Sequence, residues 1–144
     1  MSYIVYRKGY KYQLQSDYTI RTGIRTEGEL MAPFLRMSPD GELTISRGYA
    51  WDGASGPTAD TLDSMRGSLI HDALYQLMRL GLLERTQRDA VDKLFLDVLI
   101  EDGMSEFRAN LWYQAVRSFA GRSATAACER KLIVAPRLPE KEEA

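Results

Sequence analysis

The side chains best suited to chemistry lie in two short stretches, and the first holds the chain's one histidine. His71 stands beside Asp72 and four residues before Tyr75. An imidazole takes and releases protons near neutrality, and a neighbouring carboxylate can orient it or hold a cation. Met65, Leu69, Ile70, Ala73, Leu74, Leu77 and Met78 recur around them at helical spacing and mark a buried stripe. His71 lies at the edge of that stripe, able to face inward. Asp72 is rotated about 100° further round the helix and shares a face with Tyr75, Gln76 and Arg79.

The second stretch centres on Asp92. Phe95, Leu96 and Leu99 follow it at spacings of three, four and seven, all apolar. A carboxylate on such a stripe is buried, and burial without a partner is expensive. It must be paired, neutral or put to use. Only the link Gly81–Arg85 separates the two helical patterns, so the helices should be antiparallel neighbours. His71 is then the obvious partner. A carboxylate that accepts from one ring nitrogen fixes the tautomer and leaves the other nitrogen basic. That is a general-base dyad. The alternative is a core histidine satisfied by a nearby carbonyl. Asp89 reads as a helix cap and Asp97 as solvated.

The third element is the loop from Tyr49 to Pro57, Tyr-Ala-Trp-Asp-Gly-Ala-Ser-Gly-Pro. Gly53 and Gly56 permit unusual backbone geometry, and Pro57 stiffens the exit. Such a loop can turn several carbonyl oxygens toward one point. With Asp52 and Asp72 it offers the hard oxygen ligands that calcium prefers. A tight turn with Asp52 capping backbone amides accounts for the same residues.

Positioning these groups falls to an α+β chain. Before residue 60, Gly and Pro punctuate aromatic and β-branched runs at Tyr3–Tyr6, Tyr10–Leu14, Tyr18–Thr22, Phe34–Met37 and Leu43–Ser46. These read as antiparallel strands and hairpins, with Ser38-Pro39-Asp40-Gly41 as a turn. After residue 60 the period is helical. A first helix runs from Asp63 or Ser64 to Leu80, stopped by Gly81. Thr86 and Asp89 resemble a capping box for a second helix reaching about Asp102. Ser105 caps a third helix reaching Phe119 or Ala120. A short helical piece is expected near 123–130. Strands followed by helices predict an α+β fold. It forms one domain over 1–135, with a β-rich part and Gly-rich loop at 1–58 and a helical part at 60–130. The charged tail 136–144 is expected to fray.

Composition narrows the function classes. The 144 residues are 44% hydrophobic and 27% charged, with 19 basic and 20 acidic side chains. No basic field recommends nucleic acid as a partner. The single cysteine, Cys128, cannot form an internal disulfide and has no nucleophile context. No signal-peptide pattern opens the sequence, and no run of about 18 apolar residues could span a bilayer. The expectation is a protein of a host cytoplasm or a virion. Tyr3, Tyr6, Tyr10, Tyr12 and Tyr18 read as sheet aromatics rather than a ligand platform. Trp112, Tyr113, Val116 and Phe119 read as the packing face of the third helix. Arg108, Arg117, Arg122 and Arg130 read as a solvated basic face, with phosphate or anionic lipid contact as the alternative.

Two resemblances start from these positions. Asp52-Gly-Ala-Ser55 with Pro57, His71-Asp-Ala-Leu-Tyr75, Val91-Asp92 with Phe95, and Tyr113-Gln-Ala-Val-Arg-Ser-Phe119 resemble the successive blocks of domain of unknown function 1353, a phage and prophage family. The His71-Asp72 pair with Tyr75 is also similar to the active-site helix of phospholipase A2. In that superfamily, His-Asp-x-x-Tyr carries the general base and a calcium ligand. A downstream helix supplies the dyad's Asp, matched here by Asp92 three residues before Phe95. Bacterial members carry an Asp-Gly-x-Ser loop, which Asp52-Gly53-Ala54-Ser55 resembles. Secreted members are disulfide-bonded across these helices, which one cysteine does not allow.

The resemblance implies a phospholipase A2-like antiparallel helix pair and a calcium-dependent ester hydrolase encoded by a phage or prophage. His71 would take a proton from water, Asp92 would hold its tautomer, and Tyr75 would hydrogen-bond into the dyad. Asp72, Asp52 and the carbonyl near Gly53 would hold calcium. Partners implied are a phospholipid or membrane surface, or phage structural proteins. The alternative from another class is a non-enzymatic phage structural or accessory protein that keeps the helix pair as scaffold. A third is hydrolysis of another ester or amide, such as a cell-wall bond, with a different metal.

Overall fold

The computed structural model describes residues 12–53 and 61–119, together with the backbone of two strands, β1 (Ile4–Tyr6) and β8 (Ile133–Ala135), which pair antiparallel. The second half of the Gly-rich loop, Cys128, the expected helical piece near 123–130 and the tail lie outside the described residues.

The N-terminal half is antiparallel, as its punctuated sequence predicts. Strands β3 (Tyr18–Arg21), β4 (Leu30–Ala32), β5 (Leu35–Met37) and β6 (Glu42–Ile45) form a sheet in the order β3-β6-β5-β4. Side chains alternate across it. Leu35, Met37, Leu43 and Ile45 point into the core, while Arg36 and Glu42 face solvent. The Ser38–Gly41 turn joins β5 to β6, with the Gly41 N–H donating to the Ser38 carbonyl at 2.9 Å. Gly41 has φ +94, and a Cβ there would sit 2.6 Å from the Ile24 carbonyl oxygen. Only glycine fits both demands.

Three short strands escape the sequence pattern. They are β4, β7 (Ala50–Trp51) and β8. None exceeds three residues, too short for alternation to show. Strand β7 forms inside the expected Gly-rich loop because β2 (Tyr12–Gln13) pairs with it, setting Tyr12 opposite Trp51.

The helical half follows its expected order. Helix α1 spans Leu62–Arg79 after the N-cap Thr61, whose backbone N–H donates to Ser64 Oγ at 2.9 Å. It ends at Leu80 and Gly81, the latter at φ +75. Helix α2 spans Arg88–Glu101 and α3 spans Glu106–Phe119. The expected Thr86–Asp89 capping box does not form. A 3-10 turn, Arg85–Gln87, leads into α2 instead, so the N-cap is Gln87 with helical dihedrals. No extended residue stands where a side chain could cap. The Thr86 hydroxyl bonds the Glu84 carboxylate at 3.2 Å instead.

Helices α1 and α2 run antiparallel, and their register sets the site. Arg66 meets Asp102 at one end, and Tyr75 meets Arg88 at the other. Between them Gly67 faces Phe95 and Leu99, and a Cβ on Gly67 would lie 3.2 Å from Leu99 Cδ2. This close approach occurs one turn before His71. Leu74, Leu77, Phe95 and Leu99 continue into the core beneath the sheet. Among the described residues, no helix is long and apolar enough to cross a membrane.

Candidate active site

Asp92 is wholly buried and receives partners from all three helices. Its Oδ1 pairs with His71 Nε2 at 2.8 Å and accepts the Tyr75 hydroxyl at 2.6 Å. Its Oδ2 accepts Arg117 Nη1 at 2.8 Å, from α3, and lies 3.6 Å from Arg88 Nε. Arg88 also donates to the Tyr75 oxygen at 3.3 Å and to the Arg117 carbonyl at 2.6 Å. Helical periodicity explains the set. His71 and Tyr75 lie one turn apart on α1, and Arg88 and Asp92 one turn apart on α2. The imidazole is 4% exposed. It lies between the Tyr75 ring, 4.1 Å away, and the Phe95 ring, 5.0 Å away, centroid to centroid.

The sequence also pointed to Asp72, Asp52 and Gly53. Asp72 is half-buried on the adjoining face of α1. Asp52 is half-buried directly after β7, and Gly53 holds φ +88. Two hydrogen bonds dock this segment on α1. Trp51 Nε1 donates to Ser68 Oγ at 3.2 Å, and the Tyr49 hydroxyl to Gln76 Oε1 at 3.0 Å. Ser68 and Gln76 lie one turn on either side of Asp72, so residues 49–51 run along the face that carries it. Among the described residues, no three His, Cys, Asp or Glu side chains converge as a metal site. A cation here would draw on two carboxylates and on main-chain carbonyls. That is a hard-oxygen set, the chemistry calcium accepts.

A family described as "Protein of unknown function (DUF1353)" matches residues 29–116, more than half of the chain. The chain belongs to the DUF1353 family. The DUF1353 match runs from the start of the β4 hairpin into α3 and includes Asp52, Gly53, His71, Asp72, Tyr75, Arg88 and Asp92; Arg117 is the next residue beyond it. No curated protein and no solved structure gives a significant match.

The charge state of this DUF1353 site follows from burial and its hydrogen bonds. Burial holds the His71 pKa below its ordinary 6.5; the Asp92 bond opposes that shift and Arg88 reinforces it. Burial alone would push the Asp92 carboxyl up. Hydrogen bonds from His71, Tyr75 and Arg117 outweigh it and hold the group below 3.8. Burial, then the bond to Asp92, raises the Tyr75 hydroxyl well above its usual value, so it stays a phenol. At neutral pH a neutral imidazole therefore faces an ionised carboxylate. A carboxylate only accepts, so the ring proton sits on Nε2 and the lone pair on Nδ1. That is the protonation state of a general base.

Sequence reading missed both arginines. Arg88 carried a signal, since it stands four residues before Asp92, the spacing of a helical ion pair. Arg117 read as part of a solvated face, but its guanidinium reaches inward to Asp92 and also binds the exposed Asp89 at 2.8 Å. Asp89 therefore serves as that arginine's second carboxylate rather than as a cap. Asp97 is solvated as expected, paired with Lys93 at 2.7 Å.

Proposed function

We propose that this DUF1353 protein is a hydrolase in which His71 acts as general base on water attacking an ester, in the manner of phospholipase A2. One observation supports it above the others: His71 Nε2 lies 2.8 Å from an oxygen of the fully buried Asp92 carboxylate. Nδ1 takes a proton from water as the water oxygen bonds to the carbonyl carbon. Asp92 stabilises the imidazolium that forms, and Tyr75 keeps the carboxylate turned toward the ring. The imidazolium then returns its proton to the leaving alkoxide as the carbon–oxygen bond breaks. Calcium on Asp72, Asp52 and the Gly53 carbonyl would supply carbonyl polarisation and oxyanion stabilisation when bound.

The phage or prophage setting and a phospholipid or membrane surface as substrate rest on the resemblance of the sequence blocks. The test is hydrolysis of phospholipid vesicles by wild type and His71→Ala, with calcium and with chelator. Calcium-dependent release of fatty acid that His71→Ala abolishes supports the proposal. Absence of hydrolysis in wild type, with no calcium-linked rise in melting temperature that Asp72→Asn removes, overturns it.

A second reading draws on the near-complete burial of His71 and its packing between two rings. Here the polar cluster is a stability network in a non-enzymatic phage structural or accessory protein. It expects His71→Ala to lower stability with no activity to lose.

A further inference from the structure

We propose that Arg117 is a positioning residue for the His71–Asp92 pair, holding the buried carboxylate in the orientation that the base requires. The inference builds on the reading of His71 as a base, but its geometry stands by itself.

The geometry is a closed ring of contacts. Arg117 Nη1 donates to Asp92 Oδ2 at 2.8 Å, on the side of the carboxylate opposite His71 and Tyr75. Arg88, one turn before Asp92, holds the main-chain carbonyl of Arg117 at 2.6 Å. The backbone and the guanidinium of one residue are thus tied to two residues one turn apart on α2. With both oxygens engaged from opposite sides, the carboxylate cannot rotate without breaking a bond. Its lone pair toward Nε2 stays aimed. Sub-ångström aim matters for a group whose task is to fix a tautomer and orient a ring.

The single histidine makes the test clean, because one set of imidazole ring signals can be followed by NMR at one fixed, neutral pH. Wild type should show one Nε2–H tautomer with its ring N–H held by Asp92. Arg117→Gln should mix the tautomers and speed exchange of that ring proton, and Arg117→Lys, which keeps a donor, should fall between the two. A role limited to holding α3 against α2 would lower the melting temperature and leave the ring signals in place, and that result overturns the proposal. If Arg117→Gln does not fold, Arg117→Lys is read alone: faster ring-proton exchange than wild type supports the proposal, and unchanged exchange overturns it. The measurement needs no substrate, so failure of the hydrolase reading and failure of this one are distinct results. If wild type hydrolyses vesicles, Arg117→Gln should lower kcat by about 10- to 100-fold, as loss of an outer orienting partner does, with KM little changed.

Discussion

Asp92→Asn is the substitution whose consequences can be worked out most fully. The carboxylate is fully buried and accepts three hydrogen bonds of 2.6–2.8 Å. Asparagine keeps the shape and one acceptor but turns the other oxygen into a donor. With its oxygen toward His71 and Tyr75, the amide nitrogen faces Arg117, donor against donor. In the opposite orientation its N–H₂ meets Nε2, which can accept only in the other tautomer, with Nδ1 protonated and no longer basic. The first arrangement is cheaper, because Arg117 and Arg88 are 31% and 27% exposed and can turn toward water. Breaking a buried pair by removing one partner costs about 3–5 kcal/mol, and this escape places Asp92→Asn near the lower end, about 3 kcal/mol. In a domain of this size that lowers the melting temperature by about 10 °C. Urea unfolding followed by circular dichroism should show the midpoint falling with the slope unchanged. The imidazole titration should move to still lower pH, because burial persists while the carboxylate's attraction is gone. Any esterase activity should fall, because a neutral amide stabilises the imidazolium less than a carboxylate does; the loss of about 10⁴-fold known for the serine-protease triad needs the wrong tautomer, which the opposite amide orientation would impose. Stability within about 1 kcal/mol of wild type, or an unmoved imidazole, would refute the claim that Asp92 holds His71.

Three further outcomes follow from the same geometry. Burial depresses the His71 pKa, so the stability it contributes is complete above 6.5 and is lost as pH falls from there toward the lower folded value. Wild type should lose melting temperature between about pH 7 and about pH 5, whereas His71→Gln, which keeps a donor for Asp92 and does not titrate, should show a flatter profile. Tyr75→Phe removes a 2.6 Å bond to a charged acceptor; equilibrium unfolding should show a loss of about 2 kcal/mol. Gly67→Ala gains about 1 kcal/mol of helix propensity but places a Cβ 3.2–3.3 Å from the flexible Leu99 and the Phe95 ring. Its melting temperature should stay close to wild type, while Gly67→Val should destabilise by about 2 kcal/mol or more through overpacking.

Much of the dyad was legible before the fold. His71 and Tyr75 had to share a helix face, Asp92 had to be buried on another, and a short link had to bring the two helices together. Each of these rests on helical period and chain reach, which act over a few residues. The same locality makes Gly81 and the Ser38–Gly41 turn readable. The cap at Thr86 misled because the chain enters α2 through a 3-10 turn, a choice between two local structures of similar energy. Strands of two or three residues left no period to detect. Strand β7 exists because Tyr12 and Gln13 are there to pair with it.

The sequence by itself determined the α+β order, the helix ends, and the pairing of one histidine with one misplaced carboxylate. Only the tertiary structure decided how that carboxylate is held. Arg117 lies 25 residues from Asp92, and no local rule distinguishes it from Arg108 on the same helix. It reaches Asp92 because α3 packs on α2 with one particular rotation, and that rotation is set by the fit of Trp112, Val116 and the rest of a shared core. Trp51 and Tyr49 find Ser68 and Gln76 for the same reason. Long-range polar contacts follow from packing, and packing is a property of the whole chain.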